Sequence, residues 1–129
     1  MAPQPETRLV NRIRAALQDR HPGVWIMKVH GGPTQTAGIP DLLVCLQGQL
    51  IGLEVKCPRP GETEEAACRR ATVIQQAQLA KLRAAGAGAS VVASVGAALQ
   101  AVDLHMTYSC TTVASSATEQ EGNPHERQS

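Results

Sequence analysis

An acidic residue and a lysine share one face of a short apolar segment in this 129-residue sequence. Residues 50–55 are apolar except for Glu54, and Lys56 follows them directly. Side chains two positions apart in a strand point to the same face, an arrangement that core packing alone does not require here. Asp41 stands just before a second apolar segment, residues 42–46. Carboxylates that lie close together can hold a divalent cation, so the distance between Asp41 and Glu54 matters.

The turn between the two apolar segments predicts that distance. Gln47-Gly48 fits a two-residue hairpin, in which the glycine supplies a positive φ angle, although Asn or Asp would suit the first position better. Such a turn pairs Leu46 with Gln49, and counting back along both strands places Asp41 opposite Glu54. Directly opposed Cβ atoms lie about 4.5 to 5.5 Å apart, close enough for both carboxylates to hold one cation. Without a cation the two charges would repel each other.

Two helical patterns each carry one polar residue in line with apolar ones. Glu6 begins a stripe that continues at helical spacing through Val10 and Ile13, so its carboxylate is expected at the end of a buried face. Gln75 begins a similar stripe with Leu79 and Leu82. We therefore expect each of two helices to aim one polar group toward the core.

Periodicity and chain breakers predict the elements that position these residues. The expected order is α-β-β-β-α-β with a short last helix, forming a mixed sheet flanked by helices. The predicted bounds are a helix over 6–20, strands over 24–29, 42–46 and 50–55, a helix over 66–85, a strand over 89–95 and a helix over 97–104. Trp25 is expected in the core. We predict one domain over residues 1–104 and a disordered polar tail over 105–129, because the sequence from about Met106 is rich in Ser, Thr, Gln and Glu.

Composition limits the classes of function. Hydrophobic residues make up 43% of the chain, but it has one Trp, one Tyr and no Phe, which predicts an aliphatic core and argues against binding by stacked bases. Net charge is +1, with the excess of Lys and Arg in residues 1–104. The four cysteines form no CxxC pair, and no apolar run approaches the roughly 18 residues of a membrane span. We expect a soluble, reduced, cytoplasmic protein that uses neither zinc nor a membrane.

In combination, these residues resemble a known nuclease superfamily. The order of motifs is similar to that of the PD-(D/E)xK nucleases, and more narrowly to the VRR-NUC group of virus-type replication-repair nucleases, which are related to Holliday-junction resolvases. The resemblance covers about residues 5–104 and implies a restriction-endonuclease-like α/β core. It rests on Glu6, on Gly38-Ile39-Pro40-Asp41, on Leu53-Glu54-Val55-Lys56, and on Gln75 followed by Leu79, Leu82 and Gly86. Each motif alone is common on solvated strands, turns and helix surfaces, so the inference depends on their joint occurrence.

The resemblance implies a set of metal ligands. Asp41, Glu54 and the backbone carbonyl of Val55 would bind Mg²⁺ or Mn²⁺, and Glu6 would ligate the ion or orient a ligand through water. A hard cation with oxygen ligands polarises a phosphoryl oxygen and lowers the pKa of a bound water, as hydrolysis of a phosphodiester requires.

Two further residues receive catalytic roles from the same resemblance. Lys56 would act on the nucleophile or on the phosphate, where its ammonium stabilises developing negative charge. Gln75 would position Lys56 or the scissile phosphate. Lys28 and His30, at the end of the first predicted strand, are candidates for contacts with nucleic acid. Arg69 and Arg70, ahead of the second helical stripe, are candidates for phosphate contacts, although a solvated helix start explains them as well.

The family resemblance implies an Mg²⁺-dependent endodeoxyribonuclease that acts on duplex or branched DNA such as Holliday junctions. It also implies a homodimer, in a bacterial or phage-infected cell, without a small-molecule cofactor. Three alternatives remain open: a nuclease of restriction-like, flap or nicking specificity, a non-catalytic nucleic-acid-binding or assembly subunit of the same fold, and an unrelated interaction domain. Loss of Asp41, Glu54 or Lys56 would indicate the second alternative, and all three are present.

Overall fold

A computed structural model describes residues 3–33 and 35–121 of the chain. It has a mixed α/β architecture in which helices flank a four-stranded sheet. The elements are α1 (Pro5–Arg20), β1 (Trp25–Lys28), β2 (Leu42–Leu46), β3 (Gln49–Val55), α2 (Glu64–Cys68), α3 (Val73–Ala84), β4 (Gly88–Val92) and α4 (Val95–Glu121). Within the described residues, no helix is long and apolar enough to span a membrane.

The sheet is mixed, as the sequence predicted. Its strands lie in the order β1-β2-β3-β4, with antiparallel pairing of β1 to β2 and of β2 to β3. After β3 the chain crosses through α2 and α3, so β4 pairs with β3 in parallel. A helical crossover is the ordinary way to join parallel neighbours, because a tight turn cannot return the chain in the same direction.

The β2–β3 hairpin has the register expected from its turn. Gln47 and Gly48 both adopt positive φ angles, 52° and 78°, the conformation of a type I′ turn, and Leu46 pairs with Gln49. The ladder continues to Leu42 opposite Leu53. One further step in this register places Asp41 opposite Glu54, which confirms the prediction of adjacent carboxylates.

An aliphatic core lies between the sheet and the two terminal helices. Its side chains come from one stripe of α1, from alternate residues of β2 and β3, and from α4. The opposite face of β3 packs against α3 instead. A Cβ added at Gly52 would lie 2.8 Å from Leu82 Cδ1 and 3.0 Å from Pro40 Cγ, so the glycine permits this close approach. As a result, β3 is buried on both faces from Ile51 to Val55.

The predicted helix over 66–85 is two helices in the structure. Thr72 interrupts it: its hydroxyl accepts a hydrogen bond from the Gln75 N–H at 3.1 Å, and Gln75 Oε1 accepts one from the Thr72 N–H at 2.9 Å. This reciprocal capping box starts α3 at Val73. The spacing of Thr72 and Gln75 is a helix-start signal that the periodicity analysis overlooked.

The last helix is longer than predicted. We expected it to end at Leu104 and the chain to be irregular from about Met106, but α4 continues to Glu121. No Gly or Pro interrupts residues 97–121, which explains how the helix persists without strong periodicity. Met106 packs against the core cluster, so packing extends past the predicted domain boundary. The remainder of the expected tail, residues 122–129, lies outside the described residues.

Trp25 is not in the core. It is 54% exposed, because the even-numbered neighbours Val24 and Ile26 pack inward and the odd-numbered face of β1 points away from α1 and α4.

Candidate active site

Asp41 is held in place by both neighbouring strands. Its Oδ2 accepts a hydrogen bond of 2.8 Å from the Val55 N–H, and its backbone oxygen accepts one of 2.8 Å from the Val29 N–H. Ile39 and Pro40, which follow a turn at Ala37 and Gly38, bring it to the start of β2. Asp41 is therefore fixed between the ends of β1 and β3, beside Glu54.

Glu54 is a buried acid with three polar neighbours. Its side chain lies in β3 with only 2% of the residue exposed. Oε1 accepts a hydrogen bond of 2.9 Å from Gln75 Nε2 and lies 3.6 Å from Lys56 Nζ. Oε2 is buried and has no hydrogen-bond partner among the described residues. A buried carboxylate oxygen without a donor is costly, so this position favours a proton or a cation.

The electrostatics of Glu54 lead to the same requirement. Burial, and secondly the charge of Asp41, raise the pKa of Glu54 to about 8, although the Lys56 ammonium opposes the shift. Glu6 adds a smaller effect in the same direction as Asp41. The oxygen atoms of these two neighbouring carboxylates fit a hard divalent cation, whose positive charge would balance the carboxylate charges.

Lys56 completes the polar face of β3. Its side chain is only 14% exposed, and the ammonium is directed at the Glu54 carboxylate. The Lys56 N–H donates to the Val92 carbonyl at 3.0 Å, which continues the β3–β4 pairing. The strand backbone thus holds the lysine, and its ammonium is positioned beside the carboxylates without being fully removed from solvent.

Gln75 connects the start of α3 to the carboxylates. Its Oε1 belongs to the capping box with Thr72, and its Nε2 donates to Glu54. Both ends of the amide are used, so its orientation is determined. The structure therefore brings Gln75 to the predicted site, next to Glu54 rather than next to Lys56.

A glycine sets the distance between the Asp41 loop and α3. Gly38 has φ +81°, and a Cβ there would lie 2.7 Å from both Cγ2 and the carbonyl oxygen of Ile74. The loop that carries Asp41 thus packs directly on the first turn of the helix that carries Gln75. Any larger residue at position 38 would push these two parts of the site apart.

Glu6 lies near the site but is not part of a compact ligand cluster. It is exposed in the first turn of α1, whereas the sequence predicted the end of the buried face. Its charge acts on Glu54 and on Arg70, which shows that it faces the same end of the sheet. Within the described residues, no group of three Asp, Glu, His or Cys side chains is arranged to hold a metal ion.

Arg70 has an internal role. Its Nη2 donates to Glu62 Oε1 at 2.9 Å and to the Cys57 carbonyl at 2.7 Å, and its Nε donates to Glu62 Oε2 at 3.0 Å. The bidentate pair lowers the pKa of Glu62 and raises that of Arg70. These bonds brace the chain just after Lys56. Arg69, by contrast, is exposed.

Lys28 and His30 line a surface cleft of about 370 Å³ together with Ile39. An adjacent cleft of about 280 Å³ is lined by Val29 and Asp41. Lys28 and His30 therefore lie on the side of the site formed by the loop before Asp41.

The structure also reveals residues that sequence reasoning missed. Arg8, Asn11 and Arg12 of α1 line a cleft of about 510 Å³ that also includes Pro5 and Cys57. The available signal was the spacing of Arg8 and Arg12, four positions apart on the face opposite the buried stripe.

Comparison with solved structures finds structural similarity. A solved structure described as "VRR_NUC domain" is similar to this chain, with 23% sequence identity, a TM-score of 0.48, and coverage of 72% of this chain and 92% of that one. No family model matches the sequence, and no curated protein matches it.

Proposed function

We propose that this protein is a metal-dependent endonuclease with a PD-(D/E)xK core. The observation that supports this most directly is the pairing of the half-buried Asp41 with the buried Glu54, with Lys56 and Gln75 around them. Two neighbouring acids that oppose each other's ionisation have a physical reason to lie together if they bind a cation. No part of the hydrophobic core requires them.

The proposed ligands are Asp41, Glu54 and the Val55 carbonyl, with Glu6 acting through water from the start of α1. Bound Mg²⁺ or Mn²⁺ would supply the polarisation of the phosphoryl oxygen and the acidity of the attacking water. The protein's own groups prepare that site. Asp41 is held by the Val55 N–H, and Gln75 fixes the Glu54 carboxylate.

Lys56 supplies the positive charge on the substrate side. Its ammonium lies 3.6 Å from Glu54 Oε1, so it would stand beside a phosphate bound at the carboxylates. There it stabilises the negative charge that accumulates on the phosphoryl oxygens and orients the nucleophile. Gln75 acts as a positioning residue, because it contacts Glu54.

We further propose DNA as the substrate, with branched or junction DNA as its preferred form, and a homodimer as the active assembly. The family resemblance of residues 5–104 supports the substrate class. Exposed apolar side chains on the outer sheet face, Trp25, Met27 and Leu50, support an additional protein contact.

A cleavage assay tests this proposal. Purified protein is incubated with duplex, flap, splayed and four-way DNA in Mg²⁺, Mn²⁺ or EDTA, alongside Asp41→Asn and a control, Asp19→Asn, which removes an exposed acid of α1. We expect metal-dependent cleavage by the wild type and the control and none by Asp41→Asn. DNA binding without cleavage under every condition would instead favour a non-catalytic subunit of this fold.

A further inference from the structure

Next to the carboxylates, α1 carries a concave basic surface. Arg8 and Arg12 are exposed, and Asn11 lies beside them on the helix. With Pro5 and Cys57 they line the cleft of about 510 Å³, called here the α1 cleft. The opposite side of the same helix is buried in the core, so α1 presents these groups from a rigid element.

The arginines of the α1 cleft are not used for internal pairing. Among residues 3–33 and 35–121, neither the Arg8 nor the Arg12 side chain makes a hydrogen bond or an ion pair. Arg20 differs, because it binds Asp103 at 2.6 Å, and Arg70 is bound to Glu62. Two unpaired guanidinium groups in one concavity are complementary to an anionic partner.

Two residues of the α1 cleft are chain neighbours of site residues: Pro5 precedes Glu6, whose charge acts on Glu54, and Cys57 follows Lys56. The Lys56 ammonium contacts Glu54. The Cys57 carbonyl is held by Arg70 at 2.7 Å, which fixes this wall of the cleft. A polyanion that extends from the carboxylates past Lys56 to Cys57 would reach the cleft that Arg8 and Arg12 line.

We propose that the α1 cleft binds the phosphate backbone of the nucleic acid strand on one side of the scissile phosphate. This inference rests on the proposed function. Arg8 and Arg12 are one turn apart, about 6 Å along the helix axis, which is between one and two nucleotide steps of about 3.4 Å. They would contact neighbouring phosphates, while Asn11 donates a further hydrogen bond. Such contacts position the strand without reading its sequence.

Salt-dependent binding tests the inference without needing catalysis. Fluorescence anisotropy measures the affinity of a labelled duplex DNA and a labelled four-way junction in EDTA, between about 50 and 200 mM salt. The variants are Arg8→Ala, Arg12→Ala and their double. Lys81→Ala is the control, because it removes one exposed positive charge from α3, away from the cleft. Alanine favours the helix, so circular dichroism should show intact folding.

We expect each arginine variant to weaken binding roughly tenfold and to reduce the slope of log affinity against log salt by about 1, and the double by about 2. Lys81→Ala should leave the slope unchanged. An unchanged slope in the double variant would overturn the inference, and so would an equal loss in Lys81→Ala. One further result would overturn the inference. If inorganic phosphate stabilised the wild type but not the double variant, and DNA binding were the same in both, the cleft would be a site for a free anion.

Cleavage measured on the same variants separates this inference from the proposed function. If the wild type cuts no DNA in Mg²⁺ or Mn²⁺, but the double variant has a reduced salt slope, the inference about the α1 cleft stands and the proposed activity is contradicted. If the wild type cuts DNA with metal, but the double variant has an unaltered salt slope, the proposed activity stands and the inference about the α1 cleft is overturned.

Discussion

Glu54 combines burial, negative charge and an unsatisfied oxygen in one side chain. Burial and the nearby Asp41 raise its pKa to about 8, against 4.5 for an ordinary glutamate. The folded apo protein therefore holds a proton that the unfolded chain releases at much lower pH. The resulting contribution to the free energy of unfolding is present at low pH and is lost as the pH rises from about 4.5 through about 8.

Glu54→Gln should remove this pH dependence. At pH 9 in EDTA, the variant should unfold with a free energy about 2 kcal/mol higher than the wild type, because the neutral amide avoids an ionised buried group and can still accept from Gln75. At pH 5 the difference should disappear. Urea unfolding at several pH values measures this, with the exposed Glu65→Gln as control.

Metal should distinguish these two proteins. Mg²⁺ or Mn²⁺ should stabilise the wild type and leave Glu54→Gln unaffected, because only the carboxylate pair binds the cation. Equal pH profiles for wild type and Glu54→Gln, or equal stabilisation by metal, would contradict the role of Glu54.

The charge of Lys56 should be required for cleavage. Lys56→Met keeps most of the apolar stem but removes the charge, so kcat for DNA cleavage should fall about 10²- to 10³-fold with little change in KM. Lys81→Met on the exposed face of α3 provides the control. A parallel loss of DNA affinity would show that Lys56 anchors substrate instead.

At the scale of elements, the site depends on how closely the loop before β2 approaches α3. Gly38 combines a positive φ angle with a contact that leaves no room for a Cβ. Gly61 has nearly the same φ angle, +80°, but nothing lies within 4 Å of its hypothetical Cβ. Substitutions at the two glycines therefore distinguish the cost of backbone strain from the cost of a steric clash.

Gly38→Ala should destabilise the protein by about 2 to 5 kcal/mol, because the strain of a positive φ angle adds to a collision with the Ile74 backbone. Gly61→Ala should cost only the strain, about 1 to 2 kcal/mol. Cleavage should decrease in Gly38→Ala alone, since moving α3 withdraws Gln75 from Glu54. Thermal unfolding and cleavage rates are measured on both variants. Equal losses in Gly38→Ala and Gly61→Ala would contradict this account.

At the scale of the whole molecule, one sheet face is only partly covered. Trp25 pairs with Cys45 on β2, and Cys45 pairs with Leu50 on β3, so these side chains form a row across three strands. Paired residues share a face, and here it is the face away from α1 and α4. Trp25 and Leu50 are both exposed. This apolar row is a surface on which a second copy of the chain could pack.

Trp25→Glu should convert the proposed homodimer to a monomer, because it places a charge in the apolar row. Light scattering at micromolar concentration measures the mass, and Leu104→Glu serves as control, since Leu104 is a large exposed apolar residue of α4. A wild type that is monomeric even with four-way DNA would contradict the dimer and favour nicking of single strands.

Local patterns were sufficient to predict several parts of this protein. The turn at Gln47-Gly48 determined the hairpin register, and through it the adjacency of Asp41 and Glu54, because pairing across a two-residue turn leaves no freedom to shift. Periodicity predicted α1 and the order of helices and strands along the chain, since each element depends on neighbours close in the chain.

Long-range packing decided the rest. Glu54 and Gln75 are 21 residues apart, and their hydrogen bond forms only because α3 packs on β3 across Gly52. The exposure of Trp25 depends on which part of the sheet α3 leaves uncovered. The proximity of Cys57 to the arginines of α1 likewise depends on how a helix and a strand end meet in space, and such contacts leave no periodic signal in the sequence.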